Sequence, residues 1–256
     1  MKLKFYRHAT FEMFLGPNKV LVDPMFMPGR SFWPSPWTGD FRRNPLINFP
    51  SRAPESGNEA VLITHHHFDH FDRQAAKLLQ KEVHIISPRN GTGRLQRMGF
   101  RNVNGIAPGQ QLTVNDILIT AIPVKHAERF DPLLYKKGVG YIVERGSDRI
   151  YISGDTILFD ELPRLLERFR ISLAILYGGA ATLPFWGRHT LSFAEIRRLL
   201  EYLRPANAVI MHLDTLTHCR EDRKRYLIEY KELSDQGGLI LPVPGEEFVF
   251  ETDNKL

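Results

Sequence analysis

The chain carries a single cysteine, Cys219, in 256 residues. An internal disulfide is therefore impossible, and a cysteine-rich zinc finger is excluded. No apolar run approaches the length of a membrane span. The first twenty residues, MKLKFYRHATFEMFLGPNKV, hold no apolar stretch followed by a small-residue cleavage site, so the expected location is the cytoplasm. Internal repeats, low-complexity tracts and linkers are also missing, which predicts one domain over residues 1–256. The formal charge of +5 is a modest excess that permits acidic substrates without demanding them. The most basic stretch, CREDRKRYLIEYK, interleaves carboxylates with its cations and reads as a solvated helix, with no strong nucleic-acid signal.

What is abundant is histidine in one place. THHHFDH, residues 64–70, puts four histidines and an aspartate within six positions. It follows EAVLIT, a short apolar run of buried-strand type. Alternation along a strand end sends His65 and His67 to one face, where two imidazoles can grip one ion, and His66 to the other. Asp69 and His70, where the chain turns towards FDRQAAKLLQKE, can reach a second ion. One ion needs at least three protein ligands. The same pattern, a polar residue ending an apolar strand, recurs at His126 after ILITAIPVK, at Asp155 in RIYISGDT and at His212 after NAVIM. Three further strand ends thus supply candidate ligands.

Elsewhere the opening reads as a two-stranded hairpin turned at GPN, and YIVERGSDRIYIS as a hairpin turned at Gly146-Ser147-Asp148. LFDELPRLLERF and SFAEIRRLLEYL have helical spacing, the second opened by a capping box of Ser192 and Glu195. Residues 24–54 are rich in proline and aromatics and have neither period. They read either as a lid or as an arm packed by its own rings. Strands and helices in mixture predict an α/β layered architecture. Trp33, Trp37 and Trp186 are candidates for a pocket wall against the commoner core role, and His66, His84 and His218 have no partner that the sequence identifies.

Taken in order, Asp23 of LVDP, THHHFDH, His126 of PVKH, Asp155 of SGDT and His212 resemble the five motifs of the metallo-β-lactamase-fold hydrolases over nearly the whole chain. The resemblance implies a four-layer αββα sandwich. It implies two divalent ions: His65, His67 and His126 on the first, Asp69, His70 and His212 on the second, and Asp155 bridging. It also implies a metal-bridging hydroxide as nucleophile, with Asp69 orienting it. Zinc is the expected metal, and the N and O donor set equally admits manganese or iron. His189 of RHTLSFAEI matches a family histidine ahead of a late helix and is a candidate for substrate contact. Asp23 is expected to orient a ligand histidine, and His8 to hydrogen-bond near the metals or cap the first hairpin.

The cysteine ligand of many true β-lactamases is absent, which argues against antibiotic hydrolysis. The opening RHATFEMFLGPNKVLVDPMF is similar to the subgroup of L-ascorbate-6-phosphate lactonases and N-acyl phosphatidylethanolamine phospholipases D, with Arg7 in place of the usual glycine. GDFRRNP offers Arg42 and Arg43 as phosphate partners by charge and fork geometry. The expected function is hydrolysis of a phosphodiester, lactone or related ester of a small molecule, with a phosphorylated substrate favoured by the arginine pair. A small metal-dependent nuclease and a non-catalytic metal-binding scaffold are the alternatives.

Overall fold

The computed structural model describes residues 1–50, 54, 57–129, 138–233 and 238–250. The last part of the proline-rich stretch, residues 51–53, lies outside them. The chain starts with three antiparallel strands, β1 (Lys2–Arg7), β2 (Thr10–Leu15) and β3 (Asn18–Val22), followed by the parallel strand β4 (Ala60–Leu62). Helix α1 (Arg73–Leu78) crosses to β5 (His84–Pro88), and α2 (Thr92–Arg97) crosses to β6 (Val103–Ile106). With β16 (Glu247–Val249) on β1, the first sheet has the order β16-β1-β2-β3-β4-β5-β6.

The second sheet repeats the plan. An antiparallel run of β7 (Gln111–Val114), β8 (Ile117–Pro123), β9 (Val139–Arg145) and β10 (Asp148–Ile152) gives way to parallel strands β11 (Leu173–Tyr177), β14 (Asn207–Met211) and β15 (Leu239–Ile240). Helices α3 (Glu161–Glu167), α4 (Phe193–Leu203) and α5 (Arg223–Leu233) make the crossovers. A small hairpin, β12 (Thr182–Leu183) with β13 (Gly187–Arg188), precedes α4.

Three apolar layers account for the stacking. Inward residues of both sheets, among them Leu3, Phe11, Val22, Leu62, Ile119, Tyr141 and Ile175, meet face to face. The outer face of the first sheet is covered by Ala75, Leu79 and Leu95 from around α1 and α2. Leu162, Leu166, Ile196, Leu199 and Tyr226 from α3, α4 and α5 cover the second. Helix, sheet, sheet and helix form four layers. Strands such as β11 (LAILY) are apolar and buried throughout because both of their faces are covered. The capping box at α4 forms as read, Ser192 accepting from the Glu195 backbone N–H while the Glu195 carboxylate accepts from Ser192 N.

Three expectations change. The opening has three strands, because the chain reverses at His8-Ala9, where His8 adopts φ 58°. Strand β4 stops at Leu62, so His65 and His67 project from the loop after it and not from its pleat. The arm over 24–50 contains a 3-10 turn at Pro36–Thr38 and a bridge between Phe32 and Asn44. Arg7, fully buried, holds this arm down by donating to the carbonyls of Met25 (3.0 Å), Met27 (2.6 Å) and Ile47 (2.8 Å). Arg7 is thus the staple of the arm.

Candidate metal centre

Every strand end singled out in the sequence arrives at one edge of the sandwich. His126 follows β8, Asp155 follows β10, His212 follows β14, and the histidine-rich loop follows β4. Gly154 makes the turn before Asp155 at φ +59°, and a Cβ there would meet the Val139 carbonyl at 2.9 Å. Asp23, His8 and His212 all hold positive φ (42°, 58° and 68°). Such backbone is uncommon for residues other than glycine and gathers at functional sites.

The site rests on Asp23, which is fully buried. Its carboxylate accepts from Thr64 N (2.7 Å), Thr64 Oγ1 (2.7 Å), His70 Nδ1 (2.9 Å) and the Tyr177 hydroxyl (3.0 Å). These bonds set tautomers. His70 Nδ1–H donates to Asp23, so His70 Nε2 faces inward. Thr64 Oγ1 spends its proton on Asp23 and can only accept from His65 Nδ1 at 3.1 Å, which leaves the lone pair of His65 on Nε2. His126 Nδ1 donates to the Asp155 carbonyl at 3.1 Å, again leaving Nε2 free.

The freed atoms converge. His65 Nε2 lies 3.1 Å from His67 Nδ1 and 3.6 Å from Asp155 Oδ2. Asp155 Oδ1 lies 3.4 Å from His70 Nε2 and 3.6 Å from His212 Nε2. His8 Nε2 lies 3.4 Å from Asp69 Oδ2, and its ring centroid is 3.7 Å from that of His212. Ligand atoms of His65, His67 and His126 form one group able to hold an ion, those of His8, Asp69, His70 and His212 a second, and those of His65, His70 and Asp155 a third between them. The Nε2 atoms of His70, His126 and His212 and Asp155 Oδ1 are buried with no hydrogen-bond partner. Unpaired buried polar atoms are costly and rare, so each is an open valence. Two nitrogens on one tetrahedral zinc lie about 3.3 Å apart, from bonds of about 2.0–2.1 Å. The observed separations fit that geometry.

Electrostatics agree. Burial, with the neighbouring His70, holds the His65 ring well below its ordinary pKa, and burial pushes His126 down to about 4, so both are neutral donors of lone pairs. Burial opposes the charge on Asp155 and Asp69, yet the surrounding histidines, His70 first, hold both carboxyls well below the usual range. Burial also opposes charge on His70, but Asp155, Asp23 and Asp69 raise it well above its usual value. The carboxylates therefore draw positive charge to the centre of the cluster.

The remaining candidates divide. His189 is buried beside His126, its Nδ1 bonded to the His126 carbonyl and its Nε2 unpartnered. Arg42 forks onto Asp40, with bonds of 3.1 and 2.6 Å to Oδ2, and is exposed. Arg43 reaches the Ser31 carbonyl and lies over the Trp33 ring. His84 bonds Asn104, and His66 packs against Gly91. Trp33, Trp37 and Trp186 are exposed and do not belong to the core. Sequence reasoning missed Thr64 and Tyr177 as partners of Asp23, and His218, whose ring lies edge-on to that of His212 at 6.3 Å. Only the position of Thr64, directly before the cluster, was a usable signal.

Four layers with candidate ligands from loops at one sheet edge define the metallo-β-lactamase fold. Residues 18–213 match the model of the β-lactamase superfamily domain, and the chain belongs to that superfamily. It is 24% identical over 253 residues to the UPF0173 metal-dependent hydrolase of Methanopyrus kandleri, covering 97% of this chain and 99% of that one. A possible metal-dependent hydrolase from Veillonella parvula superposes with a TM-score of 0.88 at 21% identity, over 98% of this chain and 99% of that one. The isothiocyanate hydrolase from Delia radicum gut bacteria superposes with a TM-score of 0.87 at 24% identity and the same coverage. Among the described residues, no helix is long and apolar enough to cross a membrane.

Proposed function

We propose that the protein is a metal-dependent hydrolase that binds two divalent ions. The observation that carries this reading is the approach of buried imidazole nitrogens to both oxygens of Asp155, His65 Nε2 to Oδ2 and the unpartnered Nε2 atoms of His70 and His212 to Oδ1. His65, His67 and His126 would hold the first ion and Asp69, His70 and His212 the second. Asp155, with Oδ2 towards His65 and Oδ1 towards His70 and His212, would be the residue shared between the two groups. When bound, such ions acidify water to a nucleophile at neutral pH and polarise the bond under attack.

The chain's own residues do the rest. Asp23 fixes the His70 ring directly and the His65 ring through Thr64. His8 steadies Asp69, which is the group placed to orient the attacking water. His189, with Nδ1–H committed to a carbonyl, offers Nε2 to the substrate side and can carry a proton to the leaving group.

The substrate reading shifts from phosphoryl to carbon. Arg42 and Arg43 favoured a phosphorylated substrate in the sequence, but the fork of Arg42 is occupied by Asp40 and Arg43 lies on Trp33. An ester, a lactone or another electrophilic carbon is the better match. The test loads the protein with zinc or manganese and compares bis(p-nitrophenyl) phosphate, a simple lactone and phenylethyl isothiocyanate. Turnover of either carbon substrate ahead of the diester is expected. Preference for the diester would return the assignment to phosphodiesters, and silence on all three with full metal content would favour a binding scaffold.

A further inference from the structure

Among the described residues, ten large hydrophobic side chains are exposed, and six of them, all aromatic, sit in three segments around the metal centre. Trp33 (79% exposed), Trp37 and Phe41 (75%) lie on the arm, Phe68 (48%) stands between His67 and Asp69, and Phe185 (83%) and Trp186 lie at the tip of the β12–β13 hairpin. The segments are linked into a closed circuit. The Phe32 ring meets Phe68 edge-on at 4.8 Å. Trp37 Nε1 donates to the Thr182 carbonyl at 3.1 Å, tying the arm to the hairpin. The hairpin is tied to the chain after His126, Glu128 N donating to Arg188 O and Arg129 N to Trp186 O, both at 3.0 Å. The rings of His126 and His67, 4.9 Å apart, close the loop back to Phe68. His67, the one proposed ligand that is exposed, lies on this circuit.

Four arginines around the circuit are engaged within the protein. Arg42 is on Asp40, Arg43 on Ser31 O and the Trp33 ring, Arg188 on Glu195 and Glu128, and Arg220 on the Trp37 and Thr38 carbonyls. Apolar surface left facing water marks a place where apolar surface is to be buried, and aromatics bury the most per side chain. Residues already holding carboxylates or carbonyls do not add an anion site.

We propose that this aromatic collar is the specificity element of the site and selects an uncharged substrate with an aryl or alkyl tail. The proposal rests on the hydrolase reading for the identity of the reacting centre. The tail lies along Trp33, Phe41, Phe68 and Phe185 while the reacting carbon reaches the metal residues.

Two measurements test it. In the first, kcat/KM is measured on p-nitrophenyl acetate, butyrate, hexanoate and octanoate, and on the anionic p-nitrophenyl succinate monoester. The expected result is a rise of tenfold or more from acetate to octanoate, with the anionic ester below butyrate. The Phe41→Ala/Phe185→Ala variant is expected to cut the octanoate-to-acetate ratio about tenfold. An unchanged ratio in the variant, or a preference for the anionic ester, would overturn the proposal. In the second, 2-phenylethanol and phenylacetate are titrated against metal-free protein, with Trp33 and Trp37 as fluorescence reporters in the same variant. Saturable binding of the alcohol, weakened in the variant and stronger than that of the acid, supports the collar. No difference between variant and parent sinks it. Absence of ester turnover with retained alcohol binding would count against the hydrolase reading alone.

Discussion

Asp23 and His70 meet at 2.9 Å with neither side chain exposed to solvent, and this contact joins the first hydrogen-bonded layer of the site to the sheet core. Asp23 also accepts from Thr64 and Tyr177, so one carboxylate aligns elements from β3, the loop after β4, and β11. Replacing it by asparagine keeps the shape but aims an N–H at groups that are themselves donors. Asp23→Asn is expected to lower stability by about 2–4 kcal/mol and to weaken binding of an ion at His70 at least tenfold. Urea unfolding and metal titration followed by elemental analysis check both.

His67 is exposed, so its loss leaves no cavity. His67→Ala is expected to abolish activity and retain at most one ion per chain. Unfolding of the metal-free chain should stay within about 0.5 kcal/mol of the parent. Retained activity would remove His67 from the reaction.

Arg7 makes three charge-assisted bonds to the arm from a fully buried position, and burial lowers its guanidinium pKa to about 10. Arg7→Ala leaves three carbonyls unmet and is expected to cost about 3–5 kcal/mol. Hydrogen exchange over residues 24–50 should accelerate ahead of exchange in β11. Equal acceleration in both would mean that Arg7 supports the whole fold and not the arm.

Burial lowers His126 and His218 to about 4, while in the unfolded chain each titrates near its ordinary value of 6.5. Below about pH 6.5 the unfolded state therefore binds more protons. Stability of the metal-free protein should fall as pH drops from about 6.5 to about 4, by an amount on the order of a few kcal/mol, and fall further below that as the buried Asp69 and Asp155 carboxylates are protonated. His70 does not offset this loss, because its raised pKa gives a slope only above 6.5. Urea midpoints between pH 4 and 7.5 measure the effect, and a flat profile would contradict it.

The candidate ligand types and their places at or after strand ends were legible in the sequence because both are local. An apolar run ending in His126, Asp155 or His212 states which side chain leaves a strand and where, and Ser192 with Glu195 states where α4 begins. Strands and helices in mixture were legible from their periods, whereas the two helix-crossing runs of parallel strands appear only in the structure. What the sequence could not contain was proximity. Thr64 and Tyr177 are 113 positions apart and share one carboxylate, and Arg42 chose Asp40 over any phosphate only once the arm had folded. Hydrogen-bond direction then fixed the tautomers of His65, His70 and His126, and contacts between distant loops closed the aromatic circuit. Such choices depend on burial and on partners brought together by the sandwich, so they exist only in the tertiary structure.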